Sequence, residues 1–313
     1  MALRIVFCGT PAFAVPSLEH LLRQPDFQVV GVVTQPDRPR GRGQQVHSSP
    51  VKEAAGAGIP VYQPEKIKSD ESYEYFKRLA PDAVVIIAYG QIVSKRLIEI
   101  PRLGWINLHA SLLPKYRGAA PINWAIINGD EATGVTTMLI DPGLDTGPTL
   151  LEQVTRIGKD ETAPELAARL AVEGAPLMSK TLRELSRGEI APVAQDHSKA
   201  TFAPPLKKQD GRIDWSQSAQ FIYNQVRGVQ PWPGAFTTFR GKTVQVWGRP
   251  LQPGAAGGEP GIVLPTREDG LLAICGGPSV LRVEHVQMEG RKRITGPEFA
   301  NGARIMPGER FGS

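Results

Sequence analysis

Asn107 and His109 stand two residues apart in a short apolar run, and a carboxylate follows in a glycine-flanked turn, Gly143-Leu-Asp145-Thr-Gly147. If the run Trp105–His109 is a strand, both side chains leave the same face of its sheet. An amide donor, an imidazole and a carboxylate are the parts needed to move an acyl group onto an amine. Such a transfer passes through a tetrahedral intermediate, and donors already aimed at its oxyanion are worth about 3–4 kcal/mol each. Asn107 donates through its amide and His109 through its ring. The attacking amine becomes cationic as it bonds, and the leaving nitrogen must gain a proton, so a carboxylate at Asp145, paired with the imidazole, would manage both transfers. No Ser or Cys nucleophile pattern accompanies these residues.

The elements that must position these groups read as an α/β fold. Strands are predicted over Leu3–Cys8, Gln28–Thr34, Asp82–Ala88, Trp105–His109 and Val135–Ile140, with crossover helices over Phe13–Gln24 and Ser69–Leu79. The nearly continuous Val/Ile of residues 82–88 fits a central parallel strand covered on both faces. Open sheets of this kind collect ligands beyond the carboxyl ends of their strands, where His109 would sit. Further on, Thr162-Ala-Pro-Glu165 has the spacing of a capping box. Leu166, Leu170, Leu177 and Leu185 continue a long amphipathic helix to a stop at Arg187-Gly188. Pro192, Pro204 and Pro205 with little periodicity mark a linker. Short β-like runs separated by Gly and Pro then suggest a small barrel. The expected division is therefore a catalytic part over 1–189, a linker over 190–206 and a second domain over 207–313.

Two cysteines, Cys8 and Cys275, far apart and in no C-x-x-C, exclude a disulfide framework and a zinc site and fit a reducing cytoplasm. No run approaches the roughly 18 apolar residues of a membrane span. Net charge is +5, and from Lys207 onward 14 Lys/Arg face 9 Asp/Glu, so the whole excess lies in the last third. A neutral part followed by a basic one suggests chemistry in the first and an anionic partner on the second. Lys207, Lys208, Arg240, Arg249, Arg291, Lys292 and Arg293 are interleaved there with Trp215, Trp232 and Trp247. The charges suit a nucleic-acid backbone, and the tryptophans are expected mostly to pack. A second basic stretch, Arg38-Pro-Arg40-Gly-Arg42-Gly43 followed by Lys52, is too rich in Gly and Pro for core and presents guanidinium forks suited to phosphates. Gly9-Thr-Pro11 is not G-x-G-x-x-G, which removes support for NAD binding.

The N-x-H at Asn107–His109, the S-L-L-P at Ser111–Pro114 and the G-L-D-T-G at 143–147, taken with Phe7–Pro11, Thr34–Pro39 and Gly41–Gly43, resemble the formyltransferases that use 10-formyltetrahydrofolate. That resemblance implies a Rossmann-like, mostly parallel sheet with helices on both faces, followed by a smaller OB-like β-barrel. It implies catalytic roles for Asn107, His109 and Asp145, and folate contact by Ser111, Leu112, Leu113 and Pro114. Two leucines would offer an apolar surface to a flat heterocycle while Ser111 and backbone groups read its polar atoms. Residues 86–90 are expected to line the same pocket.

In this family the arginine loop enters the acceptor end of a tRNA. Arg38, Arg40 and Arg42 are then tRNA contacts, as are Lys207, Lys208, Arg291, Lys292 and Arg293, and Gly290–Arg293 is similar to a G-K-K motif near the family's C terminus. The acceptor so implied is initiator methionyl-tRNA, and the protein a monomer with no metal and no membrane or DNA partner. Two rival readings are an enzyme of the same fold that formylates an amino sugar nucleotide or glycinamide ribonucleotide, or hydrolyses formylfolate, and an RNA-binding protein on an inactive scaffold.

Overall fold

The computed structural model describes residues 2–40, 45–251 and 258–313. Its contacts divide the chain into two compact units, 1–121 with 132–156 and 166–204, and 122–131 with 157–165 and 205–313. The division is not linear in sequence. Two segments expected in the catalytic part group with the C-terminal residues, and the expected linker up to Pro204 groups with the first unit.

The first unit is built on β1 (Leu3–Gly9), β2 (Phe27–Val33), β3 (Arg38–Arg40), β4 (Gln45–His47), β5 (Val61–Tyr62), β6 (Ala83–Ile87), β7 (Trp105–His109), β8 (Ala132–Leu139) and β9 (Thr149–Arg156). Seven of these form one sheet in the order β5-β2-β1-β6-β7-β8-β9. From β5 to β7 neighbours run parallel, and β8 and β9 each run antiparallel to the strand before them. The chain leaves β1 toward β2 and returns on its other side to β6, so a crevice opens where the winding reverses. The arginine stretch is not a free loop: β3 and β4 pair antiparallel as an arm.

Helices α1 (Val15–Leu22), α2 (Pro50–Ala55), α3 (Asp70–Leu79), α4 (Lys95–Ile98) and α5 (Pro121–Ile127) fall between these strands, and α6 (Ala163–Arg187) follows them. Ser69 caps α3 by accepting from Ser72 N, and the helix ends at Ala80 in the left-handed region. On one face Phe76 of α3, Leu97 of α4 and Trp105 pack with Val84 and Ile86, the Phe76 and Trp105 rings 5.1 Å apart. Residues of the alternate parity, Val85, Ile87, Ile106 and Leu108, are buried on the other face. Leu108 reaches α6 at Gly174, where any Cβ would lie 2.4 Å from its Cδ2. That contact accounts for a glycine inside a 25-residue helix. The helix stops after Arg187, with Gly188 at φ 69°.

The second unit holds α7 (Ala219–Gly228), β10 (Phe236–Phe239), β11 (Lys242–Pro250), β12 (Val263–Thr266), β13 (Gly270–Cys275), β14 (Ser279–Met288), β15 (Ile294–Thr295) and α8 (Gly296–Ala303). Its strands make a six-stranded antiparallel sheet in the order β10-β11-β14-β13-β12, with β15 on β14. Phe239, Phe299 and Phe311 meet at its core, and Ile127 from the 122–131 segment joins them. Arg227, 6% exposed, donates to Gly158 O and Glu161 O and so ties the 157–165 segment to α7. Burial pulls its guanidinium below the ordinary range.

Candidate active site

Strand β7 delivers the first two groups as its alternation requires. Asn107 and His109 lie on the same face as Trp105, with Asn107 beside Ile86 of β6 and opposite Met138 of β8, and His109 opposite Thr136. The Asn107 side chain is half-buried and makes no hydrogen bond among the described residues. A half-buried amide without an internal partner is free to donate to a ligand.

His109 is held from one side. Its Nε2 is 2.9 Å from Tyr116 O, and a carbonyl only accepts, so Nε2 carries a hydrogen. The neutral ring therefore has its lone pair at Nδ1, which faces Asp145 Oδ2 at 3.7 Å. A proton arriving on the ring lands between the two groups. Because Nε2 is engaged, the ring has only Nδ1 to offer a ligand, as an acceptor when neutral and as a donor when protonated, a restriction the sequence did not reveal. The side chains of His109 and Asp145 are 7% and 16% exposed, so both work in surroundings where charge is weakly screened.

Asp145 takes the left-handed conformation, φ 50°, which aspartate tolerates better than most residues. Gly118 N–H donates to its Oδ2 at 2.8 Å, leaving Oδ1 without a partner among the described residues. The turn is closed by Gly147, where a Cβ would meet Leu139 O at 1.9 Å.

The Ser111–Pro114 loop sits against the same strand pair. Thr136 Oγ1 donates to Ser111 O at 2.7 Å and accepts from Leu113 N, while Lys115 N donates to Leu112 O. Ser111 is fully buried and its hydroxyl donates to Lys115 O at 2.6 Å. Its side chain and these backbone groups therefore shape the loop, where sequence reasoning has them reading polar atoms of a ligand. Leu112 and Pro114 stay half-buried and supply an apolar surface, and Leu113 is buried. Gly90, after β6, lines a cavity of about 370 Å³ with Thr10, Gln35, Arg38, His47 and Gln91, beyond the carboxyl ends of β1, β2 and β6.

Arg38 is exposed at this cavity, and the backbone of Arg40 pairs with Gln45. Arg42 lies outside the described residues. Lys52 belongs to a different contact, donating to Asp37 at 2.5 Å and to Gln63 at 2.9 Å. The Lys52 ammonium holds the Asp37 carboxyl below its usual range. In the second unit the basic residues fall into two groups. Arg240 forks onto Glu309, and Arg249 pairs with Asp160 and Glu284. Lys207, Lys208, Arg291, Lys292 and Arg293 are all exposed. Lys208 lines one cleft and Arg291 and Lys292 another, the two sharing Met288, and Arg293 lies 4.1 Å over the Trp247 ring. Trp215 is core, Trp247 half-buried, and Trp232 is 56% exposed, contrary to the packing role expected of it.

The sequence profile described as formyl transferase matches residues 3–182, and one described as formyl transferase, C-terminal domain, matches 205–304. The chain belongs to the formyl transferase family. Among formyl transferases, methionyl-tRNA formyltransferase of Solibacter usitatus is 54% identical over 99% of each chain. That of Citrifermentans bemidjiense is 50% identical over 99% of this chain and 96% of its own. An N-formyltransferase from Helicobacter canadensis, solved with folinic acid and dTDP-3-aminofucose, shares the fold at a TM-score of 0.64 and 18% identity, covering 90% of this chain and 99% of that one.

Sequence reasoning missed the groups that hold this formyl transferase site in shape: the Tyr116 carbonyl, Gly118 N–H and Thr136. Backbone groups carry no residue-type signal, although Gly118 in Arg117-Gly-Ala-Ala marks an unusual backbone conformation. Asn107→Ala should lower turnover at least about tenfold with smaller changes in either Michaelis constant, as expected of an amide whose hydrogen bond would strengthen mainly in the transition state. Steady-state kinetics would decide it. Weaker folate binding at unchanged turnover would make Asn107 a binding residue instead.

Proposed function

We propose that this chain transfers the formyl group of 10-formyltetrahydrofolate to the amino group of initiator methionyl-tRNA, giving N-formylmethionyl-tRNA for translation initiation in the cytoplasm. The likeness to methionyl-tRNA formyltransferases over nearly the whole of both chains carries this reading. The amine attacks the formyl carbon, the new oxyanion meets the Asn107 amide and the Nδ1 hydrogen of His109 in its protonated, imidazolium form, and the C–N10 bond breaks. The proton lost by the amine passes to Asp145, which hands it to N10 as that nitrogen leaves, so the site ends in the protonation state it began with. An α-amino group has a pKa near about 7.7–8.0 and an adjacent ester lowers it, so no strong base is needed. The folate ring rests on the apolar surface of Leu112 and Pro114.

The deciding assay offers labelled 10-formyltetrahydrofolate to the full-length protein with charged initiator tRNA, an amino sugar nucleotide or water alone. Label on the tRNA supports the reading. Label on the sugar, or free formate, overturns it in favour of the corresponding rival.

The exposed cations of the second unit supply the electrostatic part of tRNA binding, with Arg38, Arg40 and Arg42 at the acceptor end. Reversing Lys208, Arg291 and Lys292 to glutamate should weaken tRNA about tenfold or more and flatten the salt dependence by roughly one unit of slope for each phosphate no longer neutralised. Arg240→Gln, at a cation already forked onto Glu309, should change neither. A titration of tRNA affinity against salt for the three proteins checks both statements, and identical slopes in all three would remove these residues from the interface.

A further inference from the structure

Residues 190–204 run along the first unit as an ordered strap. Val193 exchanges two backbone hydrogen bonds with Thr149 at the start of β9. Thr201 O accepts from Arg117 N at 2.9 Å, and Ala203 N donates to Arg117 O at 2.7 Å. Between these anchors Gln195 turns inward and is 8% exposed. Its Nε2 donates to Asp145 O at 2.9 Å and to Gly147 O at 2.7 Å. Its Oε1 accepts from Arg117 Nε at 3.1 Å and Nη2 at 2.6 Å, and Nη2 also reaches His197 Nδ1 at 3.2 Å. The amide orientation is unambiguous, since a guanidinium only donates and carbonyls only accept.

From this geometry we infer that Gln195 is a positioning residue for formyl transfer, acting through Asp145. The Asp145 turn is held at three points, one by Gly118 and two by this amide. Gly118 N–H takes the carboxylate, Gln195 takes the backbone carbonyls on either side of Thr146, and Arg117, next to Gly118, grips the far end of Gln195. Every polar atom of the Gln195 side chain is used. The result is a closed loop, Asp145–Gly118–Arg117–Gln195–Asp145, of hydrogen bonds joined through the 117–118 peptide bond, around a residue in the left-handed conformation. An acid that hands protons between an amine and a leaving nitrogen works only within a few tenths of an ångström of its place, and the loop fixes that place relative to His109. Leucine fills the same volume and makes none of these bonds. The turn would then be free to relax toward ordinary backbone angles, carrying the carboxylate away from Nδ1.

The inference rests on the function proposed above, so its test separates the two. Gln195→Leu, Gln195→Glu, Asp145→Asn and the double variant Asp145→Asn/Gln195→Leu are made in the full-length protein. For each, kcat, both Michaelis constants, the melting temperature and the ring ¹⁵N shifts of His109 are measured. Gln195→Leu should lower kcat about tenfold to a hundredfold with Michaelis constants within about twofold. In the Asp145→Asn background the same substitution should cost less than about twofold, because the residue it positions is already disabled. Gln195→Glu keeps an acceptor for Arg117, with a charge pair to hold the strap, and loses the donors to the two carbonyls, so it should show the same kcat loss. It decides the matter if the leucine variant does not fold. The His109 Nδ1 resonance should shift in the Gln195 variants, a readout that needs no substrate. Equal losses of kcat with and without Asp145, or an unmoved Nδ1 resonance, would overturn the inference. A wild-type protein that formylates no tRNA, with Nδ1 still responding to Gln195, would overturn the function alone.

Discussion

His109→Ala lowers turnover by at least about 100-fold while 10-formyltetrahydrofolate binds nearly as before, and Asp145→Asn does the same. The two residues face each other across 3.7 Å with the imidazole fixed by Tyr116 O, so the ring presents one nitrogen, Nδ1, to whatever lies between it and the carboxylate. Removing the ring takes away the proposed oxyanion donor and the partner of Asp145 together. Replacing the carboxylate by an amide keeps the shape of the turn and leaves nothing to accept the proton of the attacking amine. Neither residue belongs to the apolar surface of Leu112 and Pro114 assigned to the folate ring, and that separation predicts intact donor binding. Single-turnover formylation beside an equilibrium titration with the folate measures the two quantities independently. Turnover within about threefold of wild type for either variant would remove that residue from the chemistry.

Gly118→Ala should be nearly as damaging although no side chain is lost. The residue sits at φ 119°, beyond the region that other residues enter, and a Cβ would lie 2.7 Å from Ala203 O. The backbone must shift to accept it, at a cost on the order of 1–3 kcal/mol. Its N–H is the backbone donor to Asp145 Oδ2, so the shift is transmitted directly to the carboxylate. Turnover should fall about 100-fold, and the melting temperature by roughly 2–10 °C. Gly188→Ala is the matched control, since φ is 69° there and nothing lies within 4 Å of the added carbon. It should lose about 1 kcal/mol of stability and no activity. Comparable turnover for the two alanine variants would show that backbone strain at Gly118 does not reach Asp145.

Local patterns in the sequence were sufficient for the parts that make local structure. Trp105–His109 is a strand with the boundaries expected, because its alternation is set by one sheet, and Ser69 caps α3 as its position suggests. Asp145 between glycines was legible as a turn, and the role proposed for it rests on the motif around it. Two unassigned helices also left signals, the capping box of Thr295 and Glu298 at α8 and Ser218 ahead of Ile222, Val226 and Val229 at α7. Gln195 was not legible. Its partners lie 48 to 78 residues away, and its strap has no periodicity because its backbone bonds go to Thr149 and to Arg117 and not to a repeating neighbour. Proline density marked the strap as a linker, since composition reports local stiffness and is silent about distant partners. The bond that Ser111 makes within its own loop was equally hidden: a hydroxyl can serve a ligand or the backbone, and its residue type does not say which.

Segments 122–131 and 157–165 belong to the unit completed by residues 205–313. On the ribosome they emerge long before their partners, so Ile127, 4% exposed in the finished core, and the Gly158 and Glu161 carbonyls that Arg227 will bind wait in water until α7 has been made. The N-terminal sheet can close early without them, whereas the second unit has no folded intermediate made only of what has already been synthesised. Such late, long-range closure is slow and leaves apolar surface open to other nascent chains. A chain halted before α7 should therefore be a substrate for chaperones and proteases, even with its parallel sheet already formed.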